Sequence, residues 1–276
     1  MRINKTLVGR AIPPTLVACL CVAGNAFGGF VNGGFEDGTL NGWTVQQGFD
    51  EGASGLLSGH SGNVGNTDPL QNVVWGQQNY YSTAPAPVVV NKSGYSDPYV
   101  ANIQSMFIGN DMVKINDIGG NCHVTQISQT GLINAGDMTG GATFADLYLN
   151  WVGVMENPGH PHLDDPWFII DVMKNGTLFY EERHFSEEAG WTQVGATGVF
   201  ENSGQVHLTG LLAGDSVTVE MTVSDCGQGG HGAYAYLDGL GTSYIPTPTG
   251  VPDAGSTGLL LGAACAGISL LRRKLS

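Results

Sequence analysis

No stretch between residues 29 and 243 carries an apolar pattern with a helical period. The apolar residues come instead in short alternating runs, rich in Val, Ile, Thr and aromatics, and Gly, Asn, Asp or Pro ends each run. A period of two puts one face of a strand against a core and the other toward solvent. The punctuation is heavy: 43 of the 276 residues are glycine, more than double the usual share of about 7%. There is no Gly-x-y period and only 12 prolines, which excludes collagen, and 42% apolar residues is too many for a disordered chain. The pattern predicts one all-β domain over residues 29–243, a β-sandwich or jelly roll. Expected strands are Val73–Trp75, Tyr99–Ala101, Val124–Thr130, Ala142–Val154, Trp167–Lys174, Thr177–Glu182, Trp191–Thr197, Gln205–Leu208, Ser216–Val223 and Tyr234–Leu237. Residues 50–72 read as a long loop and 244–250, with two prolines, as a linker.

Charge is segregated. Arg2, Lys5 and Arg10 open the chain, Arg272, Arg273 and Lys274 close it, and only Lys92, Lys114, Lys174 and Arg183 lie between, against 23 acids. Such a body repels nucleic acid, whose binding depends on Lys and Arg, and repels anionic lipid. Its carboxylates suit hard cations such as Ca2+.

The two ends read as addresses. Residues 1–28 combine a basic start, an apolar run from Ala11 to Ala23 and small residues after it, the arrangement of a secretory signal peptide. Leu16-Val17-Ala18-Cys19 also resembles a lipobox, which leaves a lipid-anchored surface lipoprotein as an alternative. At the other end, Val251-Pro252-Asp253-Ala254-Gly255-Ser256-Thr257 precedes a weakly polar stretch, 258–271, and then Arg272-Arg273-Lys274. As a helix that stretch spans about 21 Å, short of a hydrocarbon core of about 30 Å.

Motif, short apolar helix and basic cluster in this order resemble the PEP-CTERM class of bacterial sorting signals, in its VPDSG-CTERM variant, with Ala254 where the variant usually has Ser. The resemblance covers residues 251–276. It implies processing near Pro252-Asp253 by a membrane-embedded exosortase-type enzyme and transient inner-membrane anchoring through the helix. Release or attachment at the cell surface, outer membrane or extracellular matrix of a Gram-negative bacterium would follow.

Export bears on the cysteines. Of five, only Cys122 and Cys226 remain in the body, and one disulfide between them is the expectation, with a metal pair or two free thiols as alternatives. Closing a loop of that length would contribute roughly 4–5 kcal/mol in the chain-entropy model.

The body carries its own resemblance. Asn32-Gly33-Gly34-Phe35-Glu36, followed by Gly42-Trp43, looks like the opening strand of carbohydrate-binding-module-like, galactose-binding-like jelly rolls. The segment from Asp225-Cys226 through Gly229-Gly230-His231 to Tyr234-Ala235-Tyr236-Leu237-Asp238 resembles a closing segment of bacterial surface proteins with that architecture. The resemblance implies a structural Ca2+ held by the Glu36 and Asp238 carboxylates, with Asn32 or Gly34 adding oxygens. It also makes polysaccharide the expected ligand. His231, Tyr234 and Tyr236 are the ligand-contact candidates, with a turn role for His231 as the alternative.

His160-Pro161-His162 with Asp164-Asp165 has transition-metal donors, but three prolines around it read more simply as a stiff acidic loop. No G-x-S-x-G, H-E-x-x-H or phosphate-binding loop is present, so the body is expected to be non-catalytic. A secreted carbohydrate-active hydrolase is the alternative, with an acid pair such as Asp164 and Glu182. Trp43, Trp75, Trp151, Trp167 and Trp191 are the stacking candidates for sugar rings.

Overall fold

A computed structural model describes residues 29–52, 68–77, 83–138 and 143–242. The expected signal peptide, the linker, the sorting motif with its helix and basic trio, and residues 53–67 of the expected loop lie outside the described residues.

Twelve strands run in chain order: β1 Thr44–Asp50, β2 Val73–Trp75, β3 Val88–Asn91, β4 Asp111–Ile115, β5 His123–Leu132 and β6 Ala145–Glu156, then β7 Trp167–Lys174, β8 Thr177–Phe185, β9 Thr192–Val194, β10 Val199–Leu211, β11 Ser216–Ser224 and β12 Ala233–Gly241. They form two six-stranded sheets, ordered β2-β1-β5-β11-β7-β8 and β3-β4-β12-β6-β10-β9. Every pairing is antiparallel. Among the described residues the helical segments are short 3-10 turns, and no helix is long and apolar enough to cross a membrane.

Alternation explains the layering. In β7 and β11, Phe168, Ile170 and Val172 face Val217, Val219, Met221 and Val223 in one core cluster with Val113, Leu147, Leu149, Trp151, Ala235 and Leu237 of the other sheet. The outer face of the second sheet is buried as well. Met112, Val152, Val154, Tyr234 and Tyr236 lie under Tyr95, Val100, Ile103 and Phe107, all from the β3–β4 connection. On the outer face of the first sheet, Val124, Trp167, Ile169 and Phe185 gather at one end with Leu70, Val73, Trp75 and Leu163.

Two expected strands, Val73–Trp75 and Trp167–Lys174, appear with the same limits. Tyr99–Ala101 is not a strand, because the Asp97 carboxylate accepts from the backbone N–H groups of Tyr99 and Val100 and turns the chain there. The expected strands Val124–Thr130 and Ala142–Val154 lie in different sheets: β5 pairs with β1 and β11, and β6 with β10 and β12. Strands β1, β3 and β4 were not expected; β1 is polar over Thr44–Gln47, and β3 and β4 are short.

Candidate functional site

The opening motif makes a compact turn. Asn32 and Phe35 both take positive φ, Phe35 stacks on Trp43 at 5.1 Å, and the Trp43 indole N–H donates to the Asn32 carbonyl at 3.2 Å. The turn lies along the end of β12, where the Leu240 N–H donates to the Gly33 carbonyl at 3.0 Å. This brings the expected calcium residues together in part. A methyl added at Gly34 would stand 3.4 Å from Asp238 Oδ1 and 3.7 Å from the Glu36 side chain. Asn32 is turned away: its amide donates to Asp37 Oδ1 and the Thr39 carbonyl on the exposed side of the turn.

The two carboxylates already have donors. Glu36 accepts from the backbone N–H of Asn110 at 2.9 Å and of Asp111 at 3.2 Å. Gly109, at φ 64°, is the residue that allows this approach, because a Cβ there would stand 1.9 Å from Glu36 Oε1. Asp238, fully buried, accepts from the Ile108 N–H at 2.8 Å and the Gly239 N–H at 2.6 Å. The Lys92 ammonium lies 3.4 Å from Asp238 Oδ2 and also donates to the Ile108 carbonyl. Burial pushes the Asp238 carboxyl up to about 8 despite that ammonium, and lowers Lys92 below the usual lysine range. The donor set suits a cation, but Lys92 stands within it, and a Ca2+ ion would have to displace the ammonium.

Tyr234 and Tyr236, expected to meet a ligand, are 1% and 0% exposed. Both hydroxyls donate to the Asp97 carboxylate, Tyr234 at 2.8 Å and Tyr236 at 2.6 Å, and Tyr95 shares a hydrogen bond with the Tyr236 hydroxyl. These rings are the floor of the β3–β4 connection and offer no face to a sugar. The expected disulfide is corrected too: Cys122 and Cys226 are free, buried thiols. Cys226 Sγ is directed at His231 Nδ1, 3.8 Å away, and burial raises the pKa of both thiols, so that without a metal both are held protonated. His231 is half-buried and packs edge-on against His160. His162, the other half of the sequence pair, is directed outward to Glu187.

The two acids of the expected hydrolase alternative have separate partners. Asp164 accepts from Gln228 at the loop end of the sandwich, whereas Glu182 on β8 accepts from Tyr180 and His184. Of the tryptophans, Trp43, Trp151 and Trp167 are buried, and Trp191 packs against the core beside Phe168.

Trp75 is placed differently. It sits half-buried on edge strand β2, at a groove of about 490 Å3 lined by Val45, Gln46, Gln47, Trp75, Gln77 and Thr83. Strand register carries this edge across the outer face of the first sheet. One cross-strand row runs Gln46, Gln126, Thr222, Ile169, Arg183, and the next runs Thr44, Ser128, Glu220, Asp171, Glu181. Gln126 donates to the Thr222 hydroxyl at 2.9 Å, and Arg183 pairs with Glu181 and with Asp68. Asp171 lies between Glu181 and Glu220 in register, and burial together with those two carboxylates pushes it up to about 6. Its Oδ1 has no hydrogen-bond partner among the described residues. Of these residues only Trp75 was singled out from sequence. The available signal was a lone acid at the outward position of an otherwise apolar run, Asp171 in β7 and Glu220 in β11.

No protein-family model matches this chain, and no curated protein does either. Solved structures similar to it include a cyclase from Fischerella sp. TAU in complex with 4-(1H-indol-3-yl)butan-2-one, at 13% identity and TM-score 0.33, covering 76% of this chain and 92% of that one. Another is a family 28 carbohydrate-binding module specific for non-crystalline cellulose, at 11% identity and TM-score 0.36, covering 77% and 94%. A Caldicellulosiruptor saccharolyticus family 27 module in complex with mannohexaose matches at 10% identity and TM-score 0.26, covering 56% and 96%. Carbohydrate-binding modules with a β-sandwich fold are thus among its structural neighbours.

Proposed function

We propose that this chain is a non-catalytic, exported surface or matrix protein whose sandwich binds polysaccharide at the β1–β2 edge of the first sheet. The observation that carries this is the half-buried Trp75 on an edge strand, at a groove flanked by the amides of Gln46 and Gln77. An indole face takes the C–H face of a sugar ring, and amides supply both donors and acceptors to its hydroxyls. The row Glu220, Asp171, Glu181 places negative charge on the same face, which favours neutral glycans over uronic-acid polymers. The test is affinity electrophoresis in gels carrying a neutral β-glucan, a mannan or a polyuronate. Retardation by a neutral polymer that Trp75→Ala abolishes is expected; equal migration in every gel would overturn the reading.

The proposal keeps export and sorting through the two termini. An exosortase-type enzyme would cut near Pro252-Asp253, with the inner membrane as a temporary partner. Intact mass of the protein from its own host tests this: loss of residues 1–28 and of the tail is expected, and an unprocessed chain in the inner membrane would refute it. Calcium enters the proposal only as a competitor of Lys92 at Glu36 and Asp238.

A second reading, a hydrolase, draws on Asp171. A carboxyl held partly protonated between two others has the character of a general acid. Release of reducing ends from the same polysaccharides, abolished by Asp171→Asn, would establish it in place of the binding reading.

A further inference from the structure

The loop from residue 157 to 166, between β6 and β7, meets the loop from 225 to 232, between β11 and β12. Their contact places His160, Cys226 and His231 so that one ligand atom from each lies within 4.8 Å of the others. Cys226 Sγ and His231 Nδ1 are 3.8 Å apart, and the two imidazoles meet edge-on with centroids 5.1 Å apart. Zn–S and Zn–N bonds of the usual lengths at a tetrahedral angle require an S···N separation of about 3.6 Å. The Cys226–His231 edge is close to that value before any ion is added.

A second, independent feature points the same way. His160 Nδ1 is buried and has no hydrogen-bond partner among the described residues. Leaving a buried imidazole nitrogen unsatisfied costs free energy, which a metal bond at that nitrogen would recover.

The frame around the three groups is cross-tied. The His160 N–H donates to Asp165 Oδ1 at 3.0 Å, which sets the first loop. The Cys226 N–H donates to the His231 carbonyl at 3.0 Å and the Gly229 N–H to the Cys226 carbonyl at 3.1 Å, which closes the second. Asp164 joins the two, its carbonyl accepting from the Gly227 N–H at 3.1 Å and its carboxylate from the Gln228 amide at 3.0 Å. Glycine is required at 232, where a Cβ would stand 2.4 Å from the Ile118 carbonyl carbon.

We propose that His160, Cys226 and His231 bind a zinc ion, with the fourth coordination position left to water or to an outside ligand. A thiolate with two imidazoles is a borderline-soft donor set that suits zinc and not calcium. Binding releases one proton, from the Cys226 thiol, as the S–Zn bond forms. The site is separate from the sugar groove and does not depend on it.

The experiment uses the reduced, chelator-treated protein and zinc alone. Metal analysis after desalting should give one zinc per chain, with a rise in melting temperature. Cobalt in place of zinc should give a thiolate-to-metal charge-transfer band. His160→Gln and Cys226→Ser should lose the band, and zinc affinity should fall by more than the roughly 100-fold that the loss of an outer partner can cost. Cys122→Ser should keep both. If Cys226→Ser fails to fold, His160→Gln, whose side chain is on a different loop, still decides. Absence of retained zinc, zinc retained equally by His160→Gln, or cobalt binding without a thiolate band would each overturn the proposal.

Discussion

The Lys92 ammonium lies 3.4 Å from the Asp238 carboxylate in a position where both side chains are essentially out of solvent, at 6% and 0% exposure. The chain therefore brings its own cation to the acidic corner formed by the opening motif and the last strand. Removing one member of a buried pair is expensive, about 3–5 kcal/mol, so Asp238→Ala should lower the melting temperature sharply. Lys92→Met should cost less, because Asp238 keeps the N–H groups of Ile108 and Gly239 and can take up a proton. Millimolar Ca2+ should not stabilise the wild type but should stabilise Lys92→Met. Thermal unfolding with and without chelator checks this, and strong stabilisation of the wild type would show that calcium displaces the lysine.

Trp75 is half-buried on an edge strand and packs on the small outer-face cluster, outside the main core. Trp75→Ala should weaken binding to a neutral polysaccharide by about 30-fold or more, the scale of a central aromatic contact. Stability should change far less than for Trp167→Ala, whose ring is fully buried. Calorimetric titration beside a denaturant melt separates the two effects.

Tyr236→Phe and Tyr234→Phe each delete a hydroxyl that donates to Asp97. A hydrogen bond to a buried carboxylate is worth roughly 1.5–3 kcal/mol, and that loss should appear in urea melts. Polysaccharide binding should be unchanged. A variant with normal stability and lost binding would return these tyrosines to the ligand site.

Stability should fall as pH rises from about 5 to 8. Burial raises Asp50 to about 6 and Asp225 to about 7. Each folded value lies above the unfolded one, so the folded state holds the proton more tightly. That contribution is complete below the unfolded value and is lost as pH passes the folded one, at up to about 1.4 kcal/mol per unit per group. Glu182 and Asp215 are shifted the other way, Glu182 by its His184 and Tyr180 hydrogen bonds and Asp215 by the Leu212 N–H and Lys174. Their stabilisation is lost on acidification, which sets the lower limit. Melting temperatures across this range check the sign; a curve rising toward pH 8 would contradict it.

How much the sequence determines depends on the range of the interaction. Period-two alternation and turn residues act within a few positions, so the all-β class and strands such as Trp167–Lys174 were legible from the chain alone. The opening motif, expected from its resemblance as a first strand, is instead a turn, in which Asn32 and Phe35 take positive φ and Phe35 stacks on Trp43. The partners of the sites are long-range, and sequence spacing misassigned them. His160 was grouped with His162, two residues away, but the loops bring it to Cys226 and His231 and leave His162 on the surface. Cys122 was paired with Cys226 by count, whereas the turn at 226–231 aims that thiol at an imidazole. Tyr234 and Tyr236 alternate as strand residues should, but the β3–β4 connection covers the face they share, and no local pattern reports what lies above a sheet. Asp171 and Glu181 share a hairpin, but Glu220 is far from both in the chain and joins their row only when antiparallel register sets β11 beside β7. Alternation decides which way a side chain points; tertiary packing decides what it meets.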